Sequence, residues 1–173
     1  MRGLRTMACS LLLLLPGTAA AASPLDTLIG VWRGKGMVRE RPGAALERAA
    51  CRLTARAAGD ARISVTGRCG TAGGTARFSI ALRRRPGGRI DAVVSSPTLP
   101  EDIGYGGTVS GNRISFGATA PLDIDGGQYS SRVVFTFDGD DRFVMVESAT
   151  RLADGQKQIF FDMRYKREGE TRP

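Results

Sequence analysis

Residues 51–69 read CRLTARAAGDARISVTGRC, and the reading of this stretch decides the fold. Leu53, Ala55, Ile63 and Val65 fall on one parity, while Arg52, Thr54, Arg56, Arg62, Ser64, Thr66 and Arg68 fall on the other. Alternation of apolar and polar residues with period two is the pattern of half-buried antiparallel strands. Between the two runs, Gly59-Asp60-Ala61 reads as a three-residue hairpin loop. Such a loop places opposite each other residues whose numbers total 120, and Cys51 and Cys69 are one such pair. The register therefore predicts a disulfide, worth about 3 kcal/mol in the chain-entropy model.

Outward from this hairpin the alternation continues. It runs through Phe78, Ile80 and Leu82, then Ile114, Phe116 and Ala118, then Val133, Phe135 and Phe137. It resumes in Phe143 and Met145 and ends in Ile159, Phe161, Met163 and Tyr165. Turn signals such as Gly73-Gly74, Gly111-Asn112, Asp138-Gly139 and Asp154-Gly155 separate the runs. About ten strands result, joined as a meander, which predicts an all-β, antiparallel up-and-down barrel. A two-sheet β-sandwich is the alternative. The one helical candidate, Pro24 to Ile29, is long enough only for a plug.

Residues 1–22 read as a signal peptide, with Arg2 and Arg5 ahead of an apolar run from Met7 to Leu15 and small residues from Thr18 to Ala22. Residues 23–173 then form a single β-barrel domain of ordinary size. Cys9 leaves with the signal, and the two remaining cysteines suit an oxidising compartment. The localisation expected is periplasmic or secreted, in a bacterium. A membrane-spanning barrel needs aromatic girdles. One Trp, three Tyr and the ending Thr171-Arg172-Pro173 do not supply them.

The chain has no histidine. That excludes Ser-His-Asp and Cys-His relays, an imidazole base and His-ligated zinc or haem. No carboxylate spacing points to acid–base chemistry, so the expectation is a protein that is not an enzyme. The sequence implies no cofactor and no metal. Asp123-Ile124-Asp125-Gly126 and Asp138-Gly139-Asp140-Asp141 are explained by turn chemistry.

The segment Leu28-Ile29-Gly30-Val31-Trp32-Arg33-Gly34-Lys35-Gly36 resembles the entrance of calycin-type barrels, which includes the G-x-W of lipocalins. The resemblance implies that Trp32 floors the barrel, with Arg164 or Arg167 stacked on it. The form G-x-W-x-G-x-G is also similar to nitrobindin-like haem barrels. Their iron-ligating histidine is absent here, so haem binding does not carry over. Together with Cys51 and Cys69, the opening resembles small exported bacterial barrels of uncharacterised function.

Gly34, Gly36, Ala49, Ala55, Gly67, Ala92, Gly107 and Ala118 share the inward parity. Their small size predicts interior room for a small apolar ligand, lined by Trp32, Phe78, Phe116, Phe135, Phe143 and Phe161. Glu147 shares that parity and is expected at the barrel mouth. The function expected is a periplasmic lipocalin-like binding protein for an apolar or amphiphilic ligand. The alternative is an interaction protein, such as a periplasmic protease inhibitor or an envelope-associated protein. The resemblance to small exported metalloprotease-inhibiting barrels implies an N-terminal arm at Ser23, Pro24 and Leu25 for that role.

Charge is uneven. Residues 31–90 hold 14 Lys and Arg against 3 acids, whereas residues 91–173 hold 9 against 13. The hairpin register puts Arg52 opposite Arg68, and its continuation puts Arg68 beside Arg77 and Arg62 beside Arg83. Arg48, Arg52, Arg56, Arg62, Arg68, Arg77 and Arg83 are thus expected on one cationic outer face. An anionic lipid or lipopolysaccharide surface is the partner this implies. Nucleic acid is not expected, because no aromatics are interleaved for base stacking. The sequence leaves the oligomeric state unknown.

Overall fold

The structure, a computed structural model, describes residues 23–169. The expected signal segment 1–22 and residues 170–173 lie outside the described part. A short helix α1 (Pro24–Leu28) precedes β1 (Gly30–Val38), β2 (Glu47–Ala57), β3 (Arg62–Thr71), β4 (Gly74–Arg84), β5 (Arg89–Ser95) and β6 (Ile103–Ser110). There follow β7 (Arg113–Ala118), β8 (Leu122–Ile124), β9 (Gly127–Asp138), β10 (Arg142–Arg151) and β11 (Lys157–Arg167). Ten of these strands close into an antiparallel barrel, with β9–β10 and β11–β1 pairings completing the ring. β8 stands outside it. It pairs with the start of β9 through Leu122↔Tyr129, while β7 holds the later stretch from Arg132 to Thr136.

The hairpin arithmetic holds. Ala57 faces Ile63, Leu53 faces Gly67, and Cys51 faces Cys69, to which it is disulfide-bonded. The bridge joins directly opposed residues of the neighbouring strands β2 and β3. The disulfide fits an oxidising compartment.

The inward glycines do not leave the room expected of them. Gly34 faces Tyr165, Gly67 faces Phe78 and Gly107 faces Phe116 across their strand pairs. A Cβ on Gly34 would lie 2.3 Å from the Tyr165 ring, and one on Gly67 would lie 2.2 Å from that of Phe78. Each missing side chain is therefore a seat for the neighbouring ring. This pairing rescues a glycine in a sheet and curves the wall around the ring.

One departure from the alternation occurs near the start of β11. Glu147 faces Phe161 but Ser148 faces Ile159, so Phe160 is the extra residue of a β-bulge. Phe160 is buried beside Tyr129 and Ala149 in a small second cluster. Strict period two puts Phe160 on the outer face; the bulge turns it in.

The barrel is closed at one end. Leu25 and Leu28 of α1 are buried with Trp32, Phe143 and Tyr165 in the main core. Trp32 Nε1 donates to the Leu28 carbonyl at 2.8 Å, and its ring meets Phe143 edge-on at 4.8 Å. Phe143 in turn stacks on Tyr165 at 4.6 Å. Of the two arginines expected over Trp32, it is Arg167 whose guanidinium sits 4.3 Å above the ring. Arg164 is exposed on the outer wall instead, because its parity is opposite. Arg167 also donates to the carbonyls of Thr27, Ile29 and Asp140, pinning α1 and the β9–β10 turn to the floor.

Candidate functional site

Antiparallel connection sends alternate strands toward opposite ends, so each inward row can be followed from the floor to the far rim. On β4 the inward residues pass from buried Leu82 through half-buried Ile80 and Phe78 to exposed Ala76. On β3, Ile63 and Val65 are buried while Gly67, Cys69 and Thr71 are not. On β7, Ile114 and Phe116 give way to Ala118, and on β10 Phe143 gives way to Met145 and Glu147. β5 covers β4 only from Ser79 to Arg84, so Phe78 and Ala76 also lie beside an uncovered stretch of the wall. The interior is thus a solid floor with a one-sided cup at the opposite end, exposed along β3, β4 and β7, while Val38, Ala49, Tyr129 and Ala149 stay buried at that same end.

The residues expected to line a ligand site divide between these halves. Trp32, Phe116, Phe135 and Phe143 belong to the packed floor, at 0%, 6%, 8% and 1% exposure. Phe78, Phe161 and Glu147 lie in the open half, with Val94, Ile103, Val133 and Met145 around them. Parity could have found Val133 and Met145; which end was plugged was not readable from parity.

A polar cluster is set into this apolar rim. Tyr105 on β6 donates through its hydroxyl to Ser131 on β9 at 3.3 Å, and Ser131 donates to Glu147 Oε1 at 2.8 Å. Tyr105 and Ser131 are buried, and Glu147 is half-buried. Burial pushes the Glu147 carboxyl above the ordinary carboxylate range, while the bond from Ser131 pulls it partly back. Burial and the Glu147 charge together raise the Tyr105 phenol. The cluster can accept a hydrogen bond from a bound molecule or, when Glu147 is protonated, donate one.

No protein-family model and no curated protein sequence matches the chain. The structure is similar to that of Rv2717c from M. tuberculosis, with TM-score 0.66 and 17% identity over 84% of this chain and 95% of that one. Two designed barrels also align. EF1p2_mFAP2b, solved bound to DFHBI, gives TM-score 0.48 and 10% identity over 84% of this chain and 98% of its own. The redesigned barrel b11L5F_LGL gives 0.45 and 12% over 87% and 100%. The likeness to Rv2717c shows a small β-barrel fold.

The outer wall carries the arginines where the register put them. Arg48, Arg52, Arg56, Arg62, Arg68, Arg77 and Arg83 are all exposed on β2, β3 and β4. Arg52 faces Arg68, Arg68 faces Arg77, and Arg62 faces Arg83. Among the described residues no helix is long and apolar enough to cross a membrane.

Burial raises the carboxyl pKa of Glu147 above its value in the unfolded chain. The native state holds this proton to higher pH than the unfolded chain does. The resulting stabilisation is fully present below the unfolded carboxyl pKa and is lost as pH rises through the native value. Glu147→Gln should therefore gain stability over the wild type at about pH 8 and not at about pH 4. Urea unfolding at both values checks this; equal midpoint shifts would contradict it.

Proposed function

We propose that the protein is a binding module of lipocalin-like type, not an enzyme, acting in the periplasm or outside the cell. Its ligand is a small apolar or amphiphilic molecule held at the open end. The observation that carries this reading is the partial exposure of inward apolar residues at that end on β4, β5, β10 and β11. Phe78, Ile80, Val94, Met145 and Phe161 line a half-wet apolar concavity, and a ligand's apolar part would take the place of water there. The Tyr105–Ser131–Glu147 cluster would meet a hydroxyl or other polar head. Pro24 and Leu25 are buried in the floor, which engages the residues an inhibitory arm would need to extend.

Titration with the neutral apolar dye Nile red, with dodecanol as competitor, tests the reading. Met145→Arg puts a charge in the cup and should weaken dye binding about tenfold or more. Val93→Arg, on the outer wall at 41% exposure, should leave it unchanged. No rise in dye emission, or equal loss in both variants, would refute the cup as a ligand site.

A further inference from the structure

The barrel's closure lengthens the cationic row beyond the strands on which hairpin reasoning can place it. Arg33 faces Arg52 on one side and Lys166 on the other, and Lys166 faces Arg142. Arg142, Lys166, Arg33, Arg52, Arg68 and Arg77 therefore stand in one unbroken register line across six adjacent strands: β10, β11, β1, β2, β3 and β4. At about 4.8 Å between strands the line is about 24 Å long. It winds obliquely around the wall because barrel strands tilt.

Like charges directly opposed on a sheet destabilise it. Acids temper part of the line. Glu168 pairs with Arg33 at 2.5 Å and Arg52 at 2.9 Å, and Asp138 pairs with Arg142 at 3.2 Å. Lys166, Arg68 and Arg77 have no acidic partner among the described residues. Beside the line lies a wall groove floored by Ala50 and Gly70, with Lys35, Arg48 and Arg164 at its rim. Small side chains thus leave a shallow depression next to the cations.

From this geometry we propose that the belt binds a linear, flexible polyanion, such as a chain of phosphate groups, laid across the strands. A flat bilayer is a poorer fit. A plane tangent to so narrow a cylinder meets only about two or three neighbouring strands at once, whereas the belt spans six. Surface-binding elements also insert apolar side chains among their cations. The exposed large apolar residues, Leu46, Val93 and Leu152, all lie off the belt. No aromatic residue stands in the line to stack on a base, which separates this polyanion from single-stranded nucleic acid.

The test compares inorganic polyphosphate, pyrophosphate, phosphatidylglycerol vesicles and a single-stranded oligonucleotide on the whole protein. Polyphosphate should bind tightest. Its affinity should fall about a hundredfold between about 50 and 200 mM salt, as five or so displaced counterions require. Arg68→Glu with Arg77→Glu should cost about tenfold or more. Arg113→Glu with Arg132→Glu makes the same charge change on the β7–β9 wall and should cost no more than about twofold. Folding is controlled by the single variant Arg68→Glu. It sets a carboxylate between Arg52 and Arg77, so its thermal midpoint should be no lower than the wild type's. Equal losses in the two double variants would overturn the belt and leave only net charge. Vesicles or the oligonucleotide binding as tightly as polyphosphate would overturn the choice of partner, and pyrophosphate doing so would overturn the need for a chain.

Discussion

Trp32→Ala should lower stability by about 3–5 kcal/mol, the range for removing a fully buried aromatic side chain. The effect is expected at the high end because the site cannot collapse. Trp32 has 0% exposure and is bounded by the Phe143 edge, the Leu28 carbonyl and the Arg167 guanidinium. Without the indole, the Leu28 carbonyl loses its donor and Arg167 loses the face it stacks on. Against a total stability of about 5–15 kcal/mol for an ordinary domain, this is a large share. Urea unfolding followed by far-ultraviolet circular dichroism measures it, since the chain's one tryptophan is the residue removed. Trp32→Phe keeps a ring against Phe143 but loses the indole N–H, so its cost should fall between wild type and alanine. A loss below about 1 kcal/mol for alanine would mean that Trp32 does not hold the floor together.

Removing the disulfide is the second large effect. Cys51 and Cys69 are 18 residues apart, and a loop of that size gives about 3 kcal/mol in the chain-entropy model. Cys51→Ser with Cys69→Ser should lose about that amount, with two native-like small residues still facing each other. Much of the loss comes from the freed unfolded chain. The variant should therefore keep the wild-type barrel while its denaturant slope rises, since more surface is exposed on unfolding. The comparison is an unfolding titration of the variant and of the wild type with and without reductant. Matching midpoints for reduced and oxidised wild type would show that the bridge contributes no stability.

Local hairpins were legible from residue numbers alone, and closure was not. The loop at Gly59–Ala61 set the pairing of β2 with β3, and hence Cys51 with Cys69 and Arg52 with Arg68. No tight turn links β1 to β11, so nothing in residue order places Lys166 beside Arg33. Half of the cationic belt was hidden for that reason. The interior volume is hidden for a related reason. By parity alone Gly34, Gly67 and Gly107 are missing volume, but volume in a sheet depends on the residue opposite, and those partners are aromatic. Parity identified Glu147 as inward. Its bond to Ser131 needed the distance between β9 and β10 side chains, which alternation does not encode.

The arrangement of the closed end has a consequence for presentation. α1 enters the floor from the start of the described chain, and β11 finishes there at Arg167, whose guanidinium reaches back to the carbonyls of Thr27 and Ile29. Both ends of the described chain therefore depart from the same pole of the barrel. A tether attached at either end would hold the molecule by its floor, like a goblet by its foot, and point the cup away from the anchor.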